Sequence, residues 1–428
     1  MIATTNIMTS ATNSRSGGPI VIDPPSGPSR TEGLLQPGGG TGSMPAHGGP
    51  EVDQLSFSFI PLTDAAPIII AHTMGFFREF GIVSTLRKES SWTALRDALN
   101  SGAAQAAQTL FSMPLAATCG LLGANQKPLI VPWTLSRNGQ AITLNKRFQG
   151  RVGGESKELL DAVCEGRNSG RPLVFGHTLR VGTHALWLRY WLAAGGIHPD
   201  KDVALITVPP PQMAANMRTA RMDGFCVGEP WNARALADGL GYTAITSQEI
   251  WPDHPEKVCA FTRDFAEQNP RAVIAALKAL HRAGTWLADP ANHTEAAAIL
   301  GRPEYLGCDP AMIQSRLGSG FEYGDGRSLQ SSRPLIFSDR DSNRPCINHA
   351  IWFLTQLRRW GLHFGEPDYA GVSARVMRPD FHAQALRELG VEDTTSAYGP
   401  VTLFDGKTFN PDAPEDYARS FDLKNILG

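Results

Sequence analysis

The sequence has few of the features that identify common classes of active site. Its six cysteines include no C-x-x-C pair, and no cysteine and histidine have the spacing of a zinc site. A P-loop, a G-x-S-x-G nucleophile motif and an H-E-x-x-H metal motif are all missing. We therefore predict that the chain is not an enzyme and that it has no metal site and no cofactor.

Long apolar runs and blocks of like charge are also missing. No run reaches the roughly 18 apolar residues that span a membrane, and the N-terminus lacks the basic start and apolar stretch of a signal peptide. The formal net charge is −2 without a long Lys/Arg block, which argues against direct nucleic-acid binding. We predict a cytoplasmic protein, and a periplasmic or membrane-associated one if the start is misassigned.

The 428 residues, 42% of them hydrophobic, are enough for two compact lobes. Residues 1–50 are rich in Gly, Pro and Ser and predict a disordered, passive leader. From Leu55 onwards, strand patterns alternate with helix patterns of about 10–15 residues, including one helix expected from Thr63 to Gly81. This alternation predicts an α/β fold with a mainly parallel sheet.

Three loop-to-helix junctions present backbone N–H groups of the kind that suit an anion. They are Ser91-Trp92, Gly182-Thr183-His184 and the "CVGEPWN" stretch 226–232. Such junctions are common in α/β proteins, so alone they are interpreted as structural. Lys257 in "DHPEKVCAFT" enters an apolar run, where a buried ammonium is costly without a negative partner. It is either on a surface turn or the positive end of an anion site.

Seven motifs, in order, resemble the nitrate- and bicarbonate-binding proteins of ABC importers (NrtA/CmpA type). They are "FIPLTDAAPIIIA", "SWTALRDAL", "NGQAITL", "GTHALWLRYWLAAGGIHPDKDV", "VPPPQMAANM", "MDGFCVGEPWNA" and "WPDHPEKVCAF", within about residues 55–390. The NasS-type nitrate/nitrite sensor shares this core. The resemblance implies a two-lobed, type II periplasmic-binding-protein-like fold with the ligand in the interlobe cleft. We assign 51–145 plus 258–428 to lobe 1 and 146–257 to lobe 2.

By position, the resemblance implies seven ligand contacts: Trp92, Gln140, His184, Pro210, Val227, Gly228 and Lys257. In the bicarbonate-binding branch, a calcium-holding glutamate stands where this chain has Lys257, and a glutamine where it has His184. The resemblance therefore implies nitrate or nitrite, without calcium. Nitrate only accepts hydrogen bonds, so a site of donors suits it. Whether Glu229 or Glu256 pairs with Lys257 or lies on the surface is left open.

Two functions follow from the resemblance. The main hypothesis is a cytoplasmic nitrate sensor that controls a regulatory partner, a NasT-type antiterminator, because no export signal or lipid-attachment cysteine is seen in the first fifty residues. The alternative is the substrate-binding component of an ABC nitrate importer, with a permease as partner. An enzyme resembling the pyrimidine-forming thiamin biosynthesis proteins is a distant third, since their cysteine-rich motif is absent.

Overall fold

The computed structural model describes residues 18–24, 49–123, 126–330, 333–393 and 398–428. Within these ranges no helix is both long and apolar enough to cross a membrane. The strands are β1 Ile20–Ile22, β2 Gln54–Phe59, β3 Val83–Lys88, β4 Ala106–Leu110, β5 Leu129–Asn138, β6 Gln140–Asn145, β7 Val174–His177, β8 Ala204–Thr207, β9 Gly224–Gly228, β10 Gly241–Thr246, β11 Pro255–Thr262, β12 Phe321–Glu322, β13 Ser328–Leu329, β14 Leu335–Ile336, β15 Val401–Thr402 and β16 Thr408–Phe409.

The α-helices alternate with these strands in the first 260 residues and dominate afterwards. They are α1 Ala66–Thr73, α2 Phe76–Glu79, α3 Trp92–Ser101, α4 Ser112–Thr118, α5 Leu160–Asn168, α6 Thr183–Ala194, α7 Met213–Arg218, α8 Trp231–Ala237, α9 Ser247–Ile250, α10 Arg263–Gln268, α11 Pro270–Ala288, α12 His293–Leu300, α13 Pro310–Leu317, α14 Ile347–Arg359, α15 Tyr369–Val376, α16 Pro379–Leu389 and α17 Pro414–Arg419.

Helix starts were better predicted than helix lengths. α3 begins after Ser91, whose Oγ accepts a hydrogen bond from the Ala94 N–H at 3.2 Å, as an N-cap does. The single helix expected from Thr63 is instead a 3-10 turn, Thr63–Ala65, followed by α1 and α2. Gly75 separates these two helices because it takes a left-handed φ of 80°, which a glycine adopts without steric cost.

Two mixed sheets form the lobes. The first has strand order β1-β3-β2-β4-β11-β5-β14 and the second β10-β6-β9-β7-β8. Among the strand pairs of the described residues, only β2–β3, β2–β4, β7–β8 and β7–β9 are parallel. The expectation of a mainly parallel sheet was therefore wrong. Hydrophobic periodicity reveals that a strand is buried but not its direction, and β11, buried along its whole length, runs antiparallel to both its neighbours.

The chain crosses between the sheets twice, and each crossing lies a few residues before the predicted boundary. The first separates β5 from β6, where Asn138 and Gly139 have φ values of 59° and 91°. The return separates β10 from β11. β6 therefore pairs in the second sheet and all of β11 in the first. We accordingly place lobe 2 at about residues 140–254 rather than at 146–257.

An aromatic cluster joins the lobes beside the cleft. Trp187 on α6 of lobe 2 stacks on Trp352 of α14, with ring centroids 5.0 Å apart and an interplanar angle of 27°. Trp251 lies 5.0 Å from Trp352, and α14 packs on α4 and α15 of lobe 1. Each such pair contributes about 0.5–1.5 kcal/mol beyond the burial of its area. One apolar core therefore runs through both lobes.

Part of the predicted disordered leader is an edge strand. β1 pairs antiparallel with β3, with Ile20 opposite Lys88 and Ile22 opposite Leu86. The rest of residues 1–50, apart from residues 18–24 and 49–50, lies outside the described residues. β1 covers the backbone of β3, which would otherwise be an open sheet edge.

Deleting residues 1–50 is expected to leave anion affinity unchanged within twofold, because β1 lies at the edge of the first sheet and the predicted contacts come from other segments. Isothermal titration of the full-length and truncated proteins with nitrate checks this expectation. A tenfold loss of affinity in the truncated protein would show that the leader reaches the cleft.

Candidate functional site

Lys257 is fully buried on β11, so the surface-turn interpretation was wrong. Its ammonium Nζ lies 2.9 Å from Asp64 Oδ2 and 3.0 Å from Glu256 Oε1. Burial alone would lower the pKa of Lys257, but the charges and hydrogen bonds of the two carboxylates outweigh it and the net shift is upward. The lysine is therefore charged, with two carboxylates as the negative partners that a buried ammonium requires.

Glu256 connects the two lobes. The Thr183 hydroxyl donates to Glu256 Oε1, and the Trp187 indole N–H donates to Oε2 at 3.0 Å. Both donors lie on α6 of lobe 2, whereas Glu256 and Lys257 lie on β11 of lobe 1. These hydrogen bonds therefore exist only while the lobes are close together.

Asp64 belongs to the 3-10 turn that follows β2 and is 1% exposed. The Gln108 amide donates to its Oδ1, and the Gln140 Nε2 lies 3.4 Å from its Oδ2. β4 carries Gln108 and β6 carries Gln140, so both lobes contact this carboxyl as well. Asp64 and Glu256 thus flank Lys257 at the junction of the lobes.

Two predicted contacts present buried nitrogens without a hydrogen-bond partner among the described residues. The Trp92 ring lies with its centroid 5.9 Å from Lys257 Nζ, and its indole N–H is buried without a hydrogen-bond partner among the described residues. His184 Nδ1 is 2.5 Å from the Thr178 hydroxyl, while its Nε2 is buried and equally without a partner in the described chain. Burial, reinforced by the charge of Lys257, holds the pKa of His184 well below its ordinary value, so the ring is neutral.

At Gly228 the backbone lies close to the cluster. It pairs with Gln140 across β9 and β6. A Cβ at this position would lie 3.1 Å from both Asp64 Oδ2 and Gln140 Oε1, closer than a side chain ordinarily packs. Gln140 Oε1 is itself buried and has no hydrogen-bond partner within the described residues. A side chain at this position would therefore crowd the polar atoms of Asp64 and Gln140.

The structure thus brings together five of the seven predicted contacts: Trp92, Gln140, His184, Gly228 and Lys257. Val227 precedes Gly228 and is buried, and its carbonyl accepts from the Asn232 amide at 2.8 Å. Pro210 is buried at the start of the 3-10 turn Pro210–Gln212. Among the described residues, no hydrogen bond, ion pair or ring contact ties Pro210 to Lys257.

Sequence reasoning missed the carboxylates. Asp64 was given no role in the site, since it lies within the helix expected from Thr63 to Gly81, and the role of Glu256 was left open. Glu229, the other candidate partner, pairs instead with Arg316, Nε to Oε1 3.2 Å. The available signal was Lys257 itself, since a buried ammonium implies a buried carboxylate. Within the described ranges, no group of three His, Cys, Asp or Glu could hold a metal ion.

Three comparisons relate the chain to known proteins. A model of the NMT1-like family matches residues 48–301. The nitrate/nitrite binding protein NrtA of Synechococcus elongatus is 39% identical over 405 residues, covering 90% of this chain and 91% of that protein. The nitrate import ATP-binding protein NrtC of Synechocystis is 36% identical over 379 residues, covering 88% of this chain and 56% of that longer protein.

The fold has a close counterpart among solved structures. The crystal structure of the periplasmic nitrate-binding protein NrtA from Synechocystis PCC 6803 is 34% identical and superposes with a TM-score of 0.84, covering 88% of this chain and all of that one. This match confirms the two-lobed periplasmic-binding-protein fold. The chain therefore belongs to the NMT1-like family and, within it, to the nitrate- and bicarbonate-binding proteins of ABC importers that its motifs resemble.

Proposed function

We propose that the protein binds nitrate or nitrite as the substrate-binding component of an ABC importer. The observation that carries this proposal is a pair of buried nitrogens near the Lys257 ammonium, Trp92 Nε1 and His184 Nε2, which have no hydrogen-bond partner among the described residues. Trp92 Nε1 is a donor, and His184 Nε2 is one in the tautomer whose Nδ1 accepts from Thr178. A buried donor without a partner costs about 1–3 kcal/mol, so an acceptor that contacts these nitrogens is strongly favoured. Nitrate and nitrite offer only acceptors, and the names of the relatives support the same ligands.

The importer role replaces the cytoplasmic sensor as our conclusion. The matched relatives are named as binding and import proteins, and the solved one is described as periplasmic. None of them is named as a partner of a NasT-type antiterminator, and that expectation has no support. We propose a permease and an ATP-binding subunit as partners. The NrtA relatives are named as binding proteins, in line with the expectation that the chain is not an enzyme.

Isothermal titration with nitrate, nitrite and bicarbonate tests the ligand, with calcium added in a parallel bicarbonate series. We expect micromolar affinity, about −8 kcal/mol, for nitrate or nitrite. Bicarbonate is the most informative comparison, because its O–H can donate a hydrogen bond to the carboxylate of Asp64 or Glu256, which nitrate and nitrite cannot do. Tighter binding of bicarbonate than of both nitrogen oxyanions would overturn the proposal.

Cell fractionation with intact-mass measurement tests the importer role. We expect the native protein in the cell envelope with a processed or modified N-terminus. An unprocessed protein confined to the cytosol would return the sensor to first place and direct the search to its regulatory partner.

Replacing His184 by alanine is expected to weaken nitrate binding by about 1–3 kcal/mol, since one donor hydrogen bond to a charged ligand is lost. Titration of the variant measures this loss. His363→Ala is the matched control, because that ring is partly buried and bonds the Gly365 carbonyl at 3.1 Å outside the cluster. Equal affinities of His184→Ala and wild type would leave His184 with a purely structural role.

A further inference from the structure

The buried charged groups of the site have a net negative charge even before an anion binds. Lys257, Asp64 and Glu256 are each 0–1% exposed, and one ammonium with two carboxylates sums to −1. A bound monoanion brings this to −2. An uncompensated charge held away from water costs several kcal/mol, and the Lys257 ammonium already has two carboxylate partners.

We propose that the protein binds its anion together with one proton, which the Asp64 carboxylate takes up from solvent when the lobes close. This inference rests on the proposed function, since it concerns the same site. The proton forms an O–H bond on Asp64 and returns to solvent when the lobes open and release the anion. The bound state then carries one negative charge less.

We assign the proton to Asp64 because it receives fewer short hydrogen bonds than Glu256 does. Glu256 receives hydrogen bonds from Thr183, Trp187 and Lys257. Asp64 receives Gln108 on one oxygen and Lys257 on the other, with Gln140 at the longer distance of 3.4 Å. Burial raises the pKa of the Asp64 carboxyl, and the attraction of Lys257 does not cancel this rise.

The other ionisable groups around Asp64 do not replace it. Lys257 and Glu256 of β11 face it directly, and His184 of α6 is neutral near Lys257. Glu229, next to Gly228, points its carboxylate to Arg316 of α13. The first turns of α3 and α6 also lie here, and each helix N-terminus supplies about half a positive charge. Together they offset about one negative charge, which is what remains once Asp64 is protonated.

The proton also changes what the site offers to a ligand. Gln140 now directs its Nε2 toward Asp64 and leaves Oε1 without a partner. A half-turn of the amide places Oε1 where a protonated Asp64 can donate to it, and turns Nε2 toward the anion. Lys257, no longer sharing a full charge with Asp64, is free to donate to the anion. The lining gains donors and loses an acceptor, which favours nitrate or nitrite over an ion with its own O–H.

Titration of the wild-type protein with nitrate and with nitrite, in two buffers of unlike ionisation enthalpy, counts the protons. We expect uptake of about one proton per anion at pH 8, and affinity that falls about tenfold per pH unit above the pKa of the unliganded Asp64. Asp64→Asn is neutral at every pH. Its binding is expected to take up no proton and to be independent of pH between 6 and 9. Glu256→Gln also removes one negative charge from the cluster, so its binding is expected to take up less than one proton and to depend less on pH than that of the wild type.

Three outcomes separate the possible errors. Nitrate binding by the wild type without proton uptake, and independent of pH, would overturn this inference and leave the proposed function standing. Proton uptake that persists undiminished in Asp64→Asn would overturn the assignment to Asp64. Absence of nitrate and nitrite binding at every pH would contradict the proposed function itself. The wild-type proton count decides the question even if Asp64→Asn does not fold.

Discussion

Replacing Lys257 by glutamate is expected to abolish nitrate binding, with a dissociation constant at least a thousandfold higher, about 4 kcal/mol. The change removes the only ammonium that contacts Asp64 and Glu256 among the described residues and puts a third carboxylate beside them. One charge-assisted hydrogen bond to the anion, worth about 1.5–3 kcal/mol, is lost. Repulsion between buried like charges adds the remainder.

Titration calorimetry, with a thermal melt to confirm folding, checks this result. Lys257→Gln removes the charge without reversing it, and its nitrate affinity should lie between those of the wild type and Lys257→Glu. Lys201→Glu is the matched control, because it makes the same charge change at an exposed position of lobe 2. Micromolar nitrate binding by folded Lys257→Glu would show that the site has been misplaced.

Replacing Arg316 by methionine is expected to destabilise the protein by roughly 3–5 kcal/mol, the usual cost of leaving one member of a buried ion pair alone. Arg316 and Glu229 are 3% and 4% exposed, and Arg316 also lies 4.0 Å above the Phe321 ring. Glu229 leads from β9 into α8 and accepts the Thr63 N–H at its carbonyl, so the ion pair holds the segment that contains Gly228.

The loss should depend on pH. Burial raises the pKa of Glu229, and the attraction of Arg316 opposes that rise. Without Arg316 the folded-state pKa rises further above the unfolded value. A raised carboxyl pKa contributes stability below the unfolded pKa, and this contribution is lost as pH rises through the folded pKa. Arg316→Met should therefore be least stable, relative to wild type, at neutral pH and recover toward pH 5.

Urea unfolding at pH 5 and pH 7.5 measures this difference. The double variant Glu229→Gln/Arg316→Met removes both charges and should regain most of the loss at neutral pH. Equal destabilisation at the two pH values would show that the uncompensated Glu229 carboxylate is not its cause.

The local features of the site were predictable and its long-range partners were not. Ser91 and Trp92 predict the start of a capped helix. The resemblance of the surrounding motifs identifies His184 and Lys257 as candidate contacts. That Lys257 meets Asp64, almost two hundred residues earlier, depends on β11 entering the first sheet beside β4. No local pattern contains that pairing, because strand order is set by packing over the whole domain.

The burial of Glu256 also follows from the position of β11 within the first sheet. Alternating residues of a strand normally face opposite sides, so Glu256 and Lys257 suggest one buried and one solvated side chain. β11 is covered on both faces and has strands on both edges, and its eight residues are all buried. The two charged residues of this buried strand, Glu256 and Lys257, are accommodated because they pair with each other and with Asp64. The sequence showed only that an apolar run follows Lys257, and it left the role of the neighbouring acid open.

The three indoles that join the lobes also give the protein an optical signal of its own. Trp187, Trp251 and Trp352 lie with their centroids 5.0–6.4 Å apart, a separation at which the transitions of neighbouring rings mix. The near-ultraviolet circular dichroism then reports the angle between a ring of one lobe and a ring packed on the other. Movement of the lobes can therefore be followed on the unlabelled protein at the contact between the lobes. This measurement does not depend on anion affinity or on proton uptake.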